Sequence, residues 1–416
     1  MVNESQSGTW DRILSALSQL AVASYVGCYI LVPGAYVVGP AVLLLLVLAG
    51  FRWSAVAGAV DRESLGFMLA FVAYFALVGL TLLLHGEDVS EFDLLSRCLA
   101  AALVLAFVLK YPPSMTAFYL AAAIGCIAAG LFALYQGVLH DVSRVSSFDN
   151  PVHFGNGAMV LAVVSLSGLI WGRAAPMPGF WAALMVAGFL GGLTASLLSG
   201  TRSGWVALPL FIAVWLAAYW PEIRAHKRWA AIALVATSAL LLFVVSLPGV
   251  QFRIDRALDE FQGYVQDGRN ATSVGLRLDM WKTGLTAFQQ SPFIGVGPTA
   301  YESIEREMID AGEVHPNIAD FRHLHNQFID VLAKAGLVGL IGYLLMLAIP
   351  CLLFLRHLRS PSSATRALAV AGACFMLGHG AFNLTQSLLE RNIGVMMFAF
   401  MPVFIWSLLA RQEVAR

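Results

Sequence analysis

Apolar residues along this 416-residue chain come in long unbroken runs, not in the short stripes of a soluble core. A helix rises 1.5 Å per residue, so about 20 consecutive apolar residues cross the roughly 30 Å hydrocarbon layer of a bilayer. Such runs fall near residues 13–32, 34–50, 65–84, 94–110, 115–138, 154–172, 180–199, 203–220, 229–249, 326–355, 365–386 and 391–410. They predict an all-α polytopic membrane protein with about 12 transmembrane helices. Pro33-Gly34 separates the first two runs as a tight turn. The first run lacks a small-residue cleavage site and reads as an uncleaved span.

The pattern breaks once, and the break divides the chain into 1–249 with nine spans, a polar loop over 250–325, and 326–416 with three spans. Within the loop, Ile254, Leu258, Phe261 and Val265 recur at helical spacing with a polar opposite face, which suits a helix lying on a membrane. A second amphipathic stretch over Gly275–Gln289 puts Leu278, Trp281, Leu285 and Phe288 on one stripe, and Ser291-Pro292 ends it. Gly295-Val296-Gly297-Pro298 predicts a turn, followed by a charged helix from Thr299 to Ala311.

Composition sharpens this division. The chain is 59% hydrophobic and 12% charged, where a globular domain has about one-quarter charged residues. Residues 251–325 hold seven Arg/Lys and eleven Asp/Glu, over a third of all the charges in under a fifth of the length. Chemistry is expected there, at the membrane surface. Thirteen Arg/Lys fall in turns assigned to one side (Arg12, Arg52, Arg62, Lys110, Arg173, Arg224, Lys227, Arg228, Arg356, Arg359, Arg366, Arg411, Arg416) and four (Arg97, Arg144, Arg202, Arg391) in the opposite short turns. Positive residues stay cytoplasmic, which places both termini inside and the polar loop outside. Net charge is zero, so no bulk attraction to nucleic acid is implied. Five cysteines, none in a CxxC pair, supply neither a disulfide framework nor a metal knuckle. No nucleotide-binding GxxxxGK[ST], zinc-binding HExxH or nucleophilic GxSxG motif is present.

Several side chains could carry chemistry. His325 lies at the outer start of the 326–355 run, with Gly336 and Gly339 below it on one helical face, where another helix could approach. The positive end of a helix dipole favours neutral imidazole, which can act as a general base. Arg202, in the Ser199–Trp205 turn, Arg277, at the start of the second amphipathic stretch, and Arg144, before Asp149-Asn150-Pro151, are outer arginines. The guanidinium fork suits phosphate or pyrophosphate on a lipid carrier, although salt bridges and headgroup contacts use the same residue. His379, Asn383, Gln386 and Glu390 would form one polar stripe on the 365–386 span, facing the bundle. The acidic turn from Glu87 to Asp93 could hold a divalent cation but reads more simply as a solvated face.

Three ordered pieces resemble the O-antigen ligase and polymerase superfamily of bacterial inner-membrane glycosyltransferases. They are Thr201-Arg202-Ser203-Gly204; Arg277-Leu278-Asp279-Met280-Trp281 with Pro292-Phe293-Ile294-Gly295-Val296-Gly297; and His325-Asn326-Gln327-Phe328 with Gly336-Leu337-Val338-Gly339. The Arg144 turn with Phe148-Asp149-Asn150-Pro151 is similar to that pattern too. The resemblance implies a fold like the membrane glycosyltransferase type C class. It also implies an O-antigen ligase activity: a glycan moves from undecaprenyl pyrophosphate to lipid A-core oligosaccharide at the periplasmic face. His325 would be the catalytic histidine and Arg202 and Arg277 the essential arginines. Arg144, Asn326 and Trp281 are expected to contact substrate, with Trp281 against the membrane or the donor. Neither metal, other cofactor nor nucleotide is expected. Polymerases and protein O-oligosaccharyltransferases share the architecture. The latter are usually longer, whereas this chain stops six residues past its last expected span. A lipid-linked glycan transporter is the rival of another class, but the ionisable groups gather at one surface and no internal repeat is visible.

Overall fold

A computed structural model of the chain describes residues 4–50, 58–225, 228, 246, 248–268 and 271–414. All regular structure among them is helical. The helices are α1 (Glu4–Cys28), α2 (Ala35–Gly50), α3 (Arg62–His85), α4 (Phe92–Lys110), α5 (Met115–Leu134), α6 (Pro151–Gly172), α7 (Pro178–Leu198), α8 (Arg202–Val206), α9 (Leu208–Ala218) and α10 (Trp220–Ala225). After these come α11 (Pro248–Asp267), α12 (Ser273–Gln290), α13 (Pro298–Asp310), α14 (Gln327–Arg356), α15 (Ser363–Phe382) and α16 (Asn392–Val414).

Among the described residues, seven helical segments are long and apolar enough to cross a membrane: Arg62–His85, Val89–Lys110, Met115–Leu139, Pro151–Gly172, Pro178–Leu198, Gln327–Arg356 and Asn392–Glu413. The chain is a multi-pass membrane protein. Four of the other expected runs also lie on helices, but with differences. The 203–220 run is broken at Ala207 into α8 and α9, and α2 is a short helix containing Pro40. The first run lies mostly in α1 and ends at Cys28, and the 365–386 run ends as a helix at Phe382. All of the 229–249 run except Ser246, Pro248 and Gly249 lies outside the described residues.

The last of the candidate spans is the most enclosed. Every position of α16 from Val395 to Ala410 is buried, against α4 and α15. Its Trp406 donates to Ser64 Oγ of α3 at 2.9 Å and stacks on Phe67. Without a strong hydrophobic drive between helices in lipid, close backbone approach supplies the packing. A Cβ at Gly130 of α5 would sit 2.6 Å from the Gly191 Cα of α7, so a side chain at either position would force the pair apart. One end of the bundle is closed by ion pairs of Glu63 with Arg356 and His357, and of Glu222 with Arg366. The other end carries α11–α13.

Those three helices fold over the bundle much as their periodicity predicts. Thr272 caps α12 by accepting from Gly275 N, and Met280, Ala287, Tyr301, Ile304 and Leu324 form a small apolar core of their own. Among the described residues the apolar face of α11 is left largely uncovered: Phe252 and Val265 are each 65% exposed. Such a face suits the interfacial layer of a membrane.

Helix α14 is not the straight rod that its apolar run predicts. Gly336 breaks it, at φ 63° and ψ −159°, a conformation open almost only to glycine. The break frees the Ala333 and Lys334 carbonyls and the Leu337 and Val338 amides. The 292–297 turn takes up all four: Val296 N and Gly297 N donate to the two carbonyls at 3.0 Å each, and Leu337 N and Val338 N donate to Pro292 O (2.9 Å) and Phe293 O (3.0 Å). Gly336 therefore receives this turn, not a neighbouring helix; helix α3 approaches further along, at Gly339 and most closely at Gly342.

Candidate active site

Local structure brings Arg144 and Arg202 to one corner. Asn150 caps α6 by accepting from Val152 N and His153 N, with Pro151 in the first turn. Thr201 Oγ1 donates to Pro151 O at 2.8 Å, and Ser203 Oγ donates to the buried Asn156 at 2.8 Å. This fixes the α7–α8 turn against α6 and leaves Arg202 exposed. Val145 N donates to Leu198 O at 3.2 Å, so the exposed Arg144 stands beside that turn.

Arg277 arrives on α12 from the other side. Glu260 of α11 accepts from Arg256 Nε (2.8 Å) and from Val274 N (3.1 Å), binding α11 to the first turn of α12. Buried Asp279 accepts from Tyr264 Oη (2.8 Å) and from His315 N (2.7 Å), tying α12 to the chain on both sides. Arg277 is half-buried. Burial first, then the charges of Arg202 and Arg144, lower its pKa, while Glu260 opposes them. Three guanidiniums thus stand within electrostatic reach of one another, an arrangement whose chemistry suits a polyanion.

His325 completes the arrangement. Its position differs from the expected helix start: Asn326 is the N-cap of α14, and His325 precedes it with φ +51°. The dipole therefore acts on it from outside the helix, and burial is the larger influence. Burial first, then the charge of Arg277, with a smaller push from Arg391, hold its pKa down at about 4, against the raising effect of Gln386. His323, whose ring centroid lies 4.5 Å away, is lowered to about 3, by burial and then by His325. Gln386 Oε1 accepts from His325 Nδ1 at 3.2 Å. That assigns the proton of neutral imidazole to Nδ1 and leaves the Nε2 lone pair for chemistry.

The structure departs from the expected polar stripe on the 365–386 span. Gln386 reaches His325 because α15 ends at Phe382; it does not extend a helical stripe from His379. Glu390 sits in a 3₁₀ turn and pairs with Lys334 at 3.4 Å. His379 is fully buried among Phe375, Phe382 and Phe398. Asn326 and Trp281, expected on substrate, are engaged within the protein. Asn326 accepts from Phe328 N and Ile329 N, and Trp281 Nε1 donates to Leu324 O at 3.0 Å. Both residues shape the loop that carries His325. In the acidic turn, Glu87 accepts from Thr299, Asp88 caps Ser90 and Asp93 pairs with Arg97. Among the described residues no group of three His, Cys, Asp or Glu is placed to hold a metal ion.

The residues just described fall largely within one recognised segment. Residues 187–344 match the family model Wzy_C, O-antigen ligase. The match includes Arg202, Arg277, Trp281, His325 and Asn326; Arg144 lies before it. The chain is also 26% identical over 151 residues to an O-antigen ligase of Escherichia coli (strain K12), across 36% of each chain. Together these findings support membership of the O-antigen ligase superfamily, and with it glycosyl transfer of the ligase or polymerase type in lipopolysaccharide synthesis. A protein of Haemophilus influenzae (strain Rd) described as uncharacterized is 24% identical over 401 residues, 95% of this chain and 99% of that one. The O-antigen ligase match thus spans the arginine turn, the amphipathic helices and the histidine loop.

Proposed function

We propose that the protein transfers a glycan from undecaprenyl pyrophosphate to a hydroxyl of lipid A-core oligosaccharide at the periplasmic face of a bacterial inner membrane. The observation that carries this reading is the juxtaposition of Arg277, Arg202 and Arg144 with a neutral imidazole that Gln386 holds by Nδ1 and not by Nε2, at the bundle end that also bears an amphipathic helix with an exposed apolar face. Both termini are then cytoplasmic, in agreement with the Arg/Lys bias of the opposite turns.

The chemistry is a single displacement. The acceptor oxygen bonds to the anomeric carbon as its proton passes to His325 Nε2. The bond from that carbon to the pyrophosphate oxygen breaks, and its electron pair leaves with undecaprenyl pyrophosphate. The anomeric configuration inverts. Gln386 holds the imidazole by Nδ1 and stabilises the imidazolium, which then releases its proton to water. Positioned base catalysis of this kind is worth about 10²–10⁴-fold. The arginines stabilise charge growing on the leaving group, each such donor being worth about 10²–10³-fold. They supply positive charge that a metal provides in other pyrophosphate sites. The exposed face of α11 holds the donor lipid at the interface.

The test is incubation of purified protein with undecaprenyl-pyrophosphate glycan and lipid A-core, without nucleotide or metal. A ladder of glycan on the acceptor is expected, and His325→Ala should abolish it while donor binding persists. Growth of the lipid-bound chain alone would make the protein a polymerase. Full turnover by the His325→Ala protein would remove the base assignment.

A further inference from the structure

We infer that Asp330, neutralised by Lys334, is a positioning residue that holds the peptide before His325 and so aims the imidazole. The inference rests on the reading of His325 as the base. His325 is one of three non-glycine residues with positive φ among the described residues, a backbone state that persists only where its surroundings over-determine it. The segment before the histidine is pinned at residues 322 and 324. Leu324 N donates to Asp330 Oδ1 at 3.2 Å, and Leu324 O accepts from Trp281. Lys334 Nζ donates to Arg322 O at 3.1 Å and pairs with Asp330 Oδ1 at 3.1 Å.

An ordinary (i, i+4) ion pair on a helix would point at solvent. This pair is turned inward, the Asp330 and Lys334 side chains being 1% and 13% exposed, and it bonds the backbone at residues 322 and 324. Lys334 also reaches Glu390, four residues beyond the Gln386 that orients His325. The base and its orienting amide are thus referred to one frame on the first two turns of α14. Asp330, Lys334 and Glu390 line a cavity of about 100 Å³ together with Glu91, so polar bonds rather than tight packing hold the trio. A charged carboxylate accepts the Leu324 amide more strongly than a neutral group, and the lysine keeps it from being an uncompensated buried charge.

Two double variants separate the acceptor function from the ion pair. Asp330→Asn with Lys334→Met removes both charges but keeps an oxygen for the Leu324 amide. Asp330→Leu with Lys334→Met removes both charges and the acceptor. The first should keep kcat within about threefold of wild type. The second should lose about 10²-fold in kcat with KM for the lipid-linked donor unchanged, the cost of a base displaced by about 1 Å. Adding Trp281→Phe to the second variant should cost less than its effect in wild type, because both act on the same peptide. Melting temperatures of the folded variants are measured alongside. Wild-type kcat in the leucine variant, or equal losses in both, would overturn the inference. Acylation of His325 by diethyl pyrocarbonate, read peptide by peptide in a mass spectrometer, gives a readout without turnover: it should quicken only in the leucine variant. If wild-type protein transfers no glycan, the functional reading fails, and the acylation rates still decide whether Asp330 holds the loop.

Discussion

The depressed His325 pKa makes the pH profile the sharpest test of the proposed chemistry. A free histidine has a pKa near 6.5; here burial and the Arg277 charge bring it to about 4. The group must be deprotonated to act, so activity is lost as pH falls through the folded-state value and is full above it. At pH 5, a base of pKa about 4 is about nine-tenths neutral, whereas one of pKa about 6.5 is only about 3% neutral. The two cases differ about thirtyfold in active enzyme at that pH, which a glycan-transfer assay resolves easily. The profile of kcat/KM reports the free enzyme and should rise through about pH 4, then stay level from about pH 6 to 8.

The kcat profile reports the donor-bound enzyme and should differ in a defined direction. A bound pyrophosphate opposes the positive charge of Arg277, the second of the causes of the low value, but leaves the burial in place. Its inflection should therefore lie above that of kcat/KM and short of 6.5. Donor binding would then strengthen the base at the moment when it is needed. A kcat/KM inflection at or above 6.5, or a kcat inflection below that of kcat/KM, would refute the reasoning. Reconstituted protein in nanodiscs, assayed over pH 3.5–8.5 with activity rechecked after return to pH 7, separates titration from denaturation.

Other outcomes follow from the same geometry. Gln386→Glu should raise the kcat/KM inflection above pH 4, because a carboxylate facing Nδ1 stabilises the imidazolium; the pH profile of the variant checks it. Arg277→Lys should lower kcat by about 10²–10³-fold in the transfer assay, since lysine lacks the planar fork. Thermal stability should fall as pH drops below about 6.5 toward 4, because His323 and His325 resist protonation when folded and accept it when unfolded; melts of His323→Gln should show a flatter pH dependence. Gly336→Ala should destabilise by about 3 kcal/mol or more, from the positive φ and a Cβ placed 2.5 Å from Gly295 N; detergent melts measure it.

Most of what was legible in the chain came from local periodicity. The amphipathic stretches at 254–265, 275–289 and 299–311 read out as helices because hydrophobic spacing is set within one element. The arginines stood out by chemistry, since a guanidinium has few reasons to sit between spans, and the structure brings the three within electrostatic reach. What failed was contact between distant segments. Gly336 sits inside an unbroken apolar run, and helical spacing continues on both sides of it, so periodicity alone cannot see the break. Its partner, the 292–297 turn, was noticed only as a separate motif. The structure explains why Pro292–Gly297 and Gly336–Gly339 come as a set: each satisfies backbone groups that the other leaves open.

That backbone exchange bears on function, because it fixes where the base stands relative to the cations. Arg277 rides on α12, which leads directly into the 292–297 turn; His325 and Asp330 lie on the segment that enters α14 above the break. The four hydrogen bonds between the turn and residues 333–338 therefore set the register of one half of the site against the other. Trp281, one turn beyond Arg277, makes the same connection directly through Leu324. A helix uninterrupted at Gly336 would close its own carbonyls, release the turn and let α12 slide along α14. The glycine far from the chemistry thus belongs to the architecture that keeps Arg277 within electrostatic reach of His325.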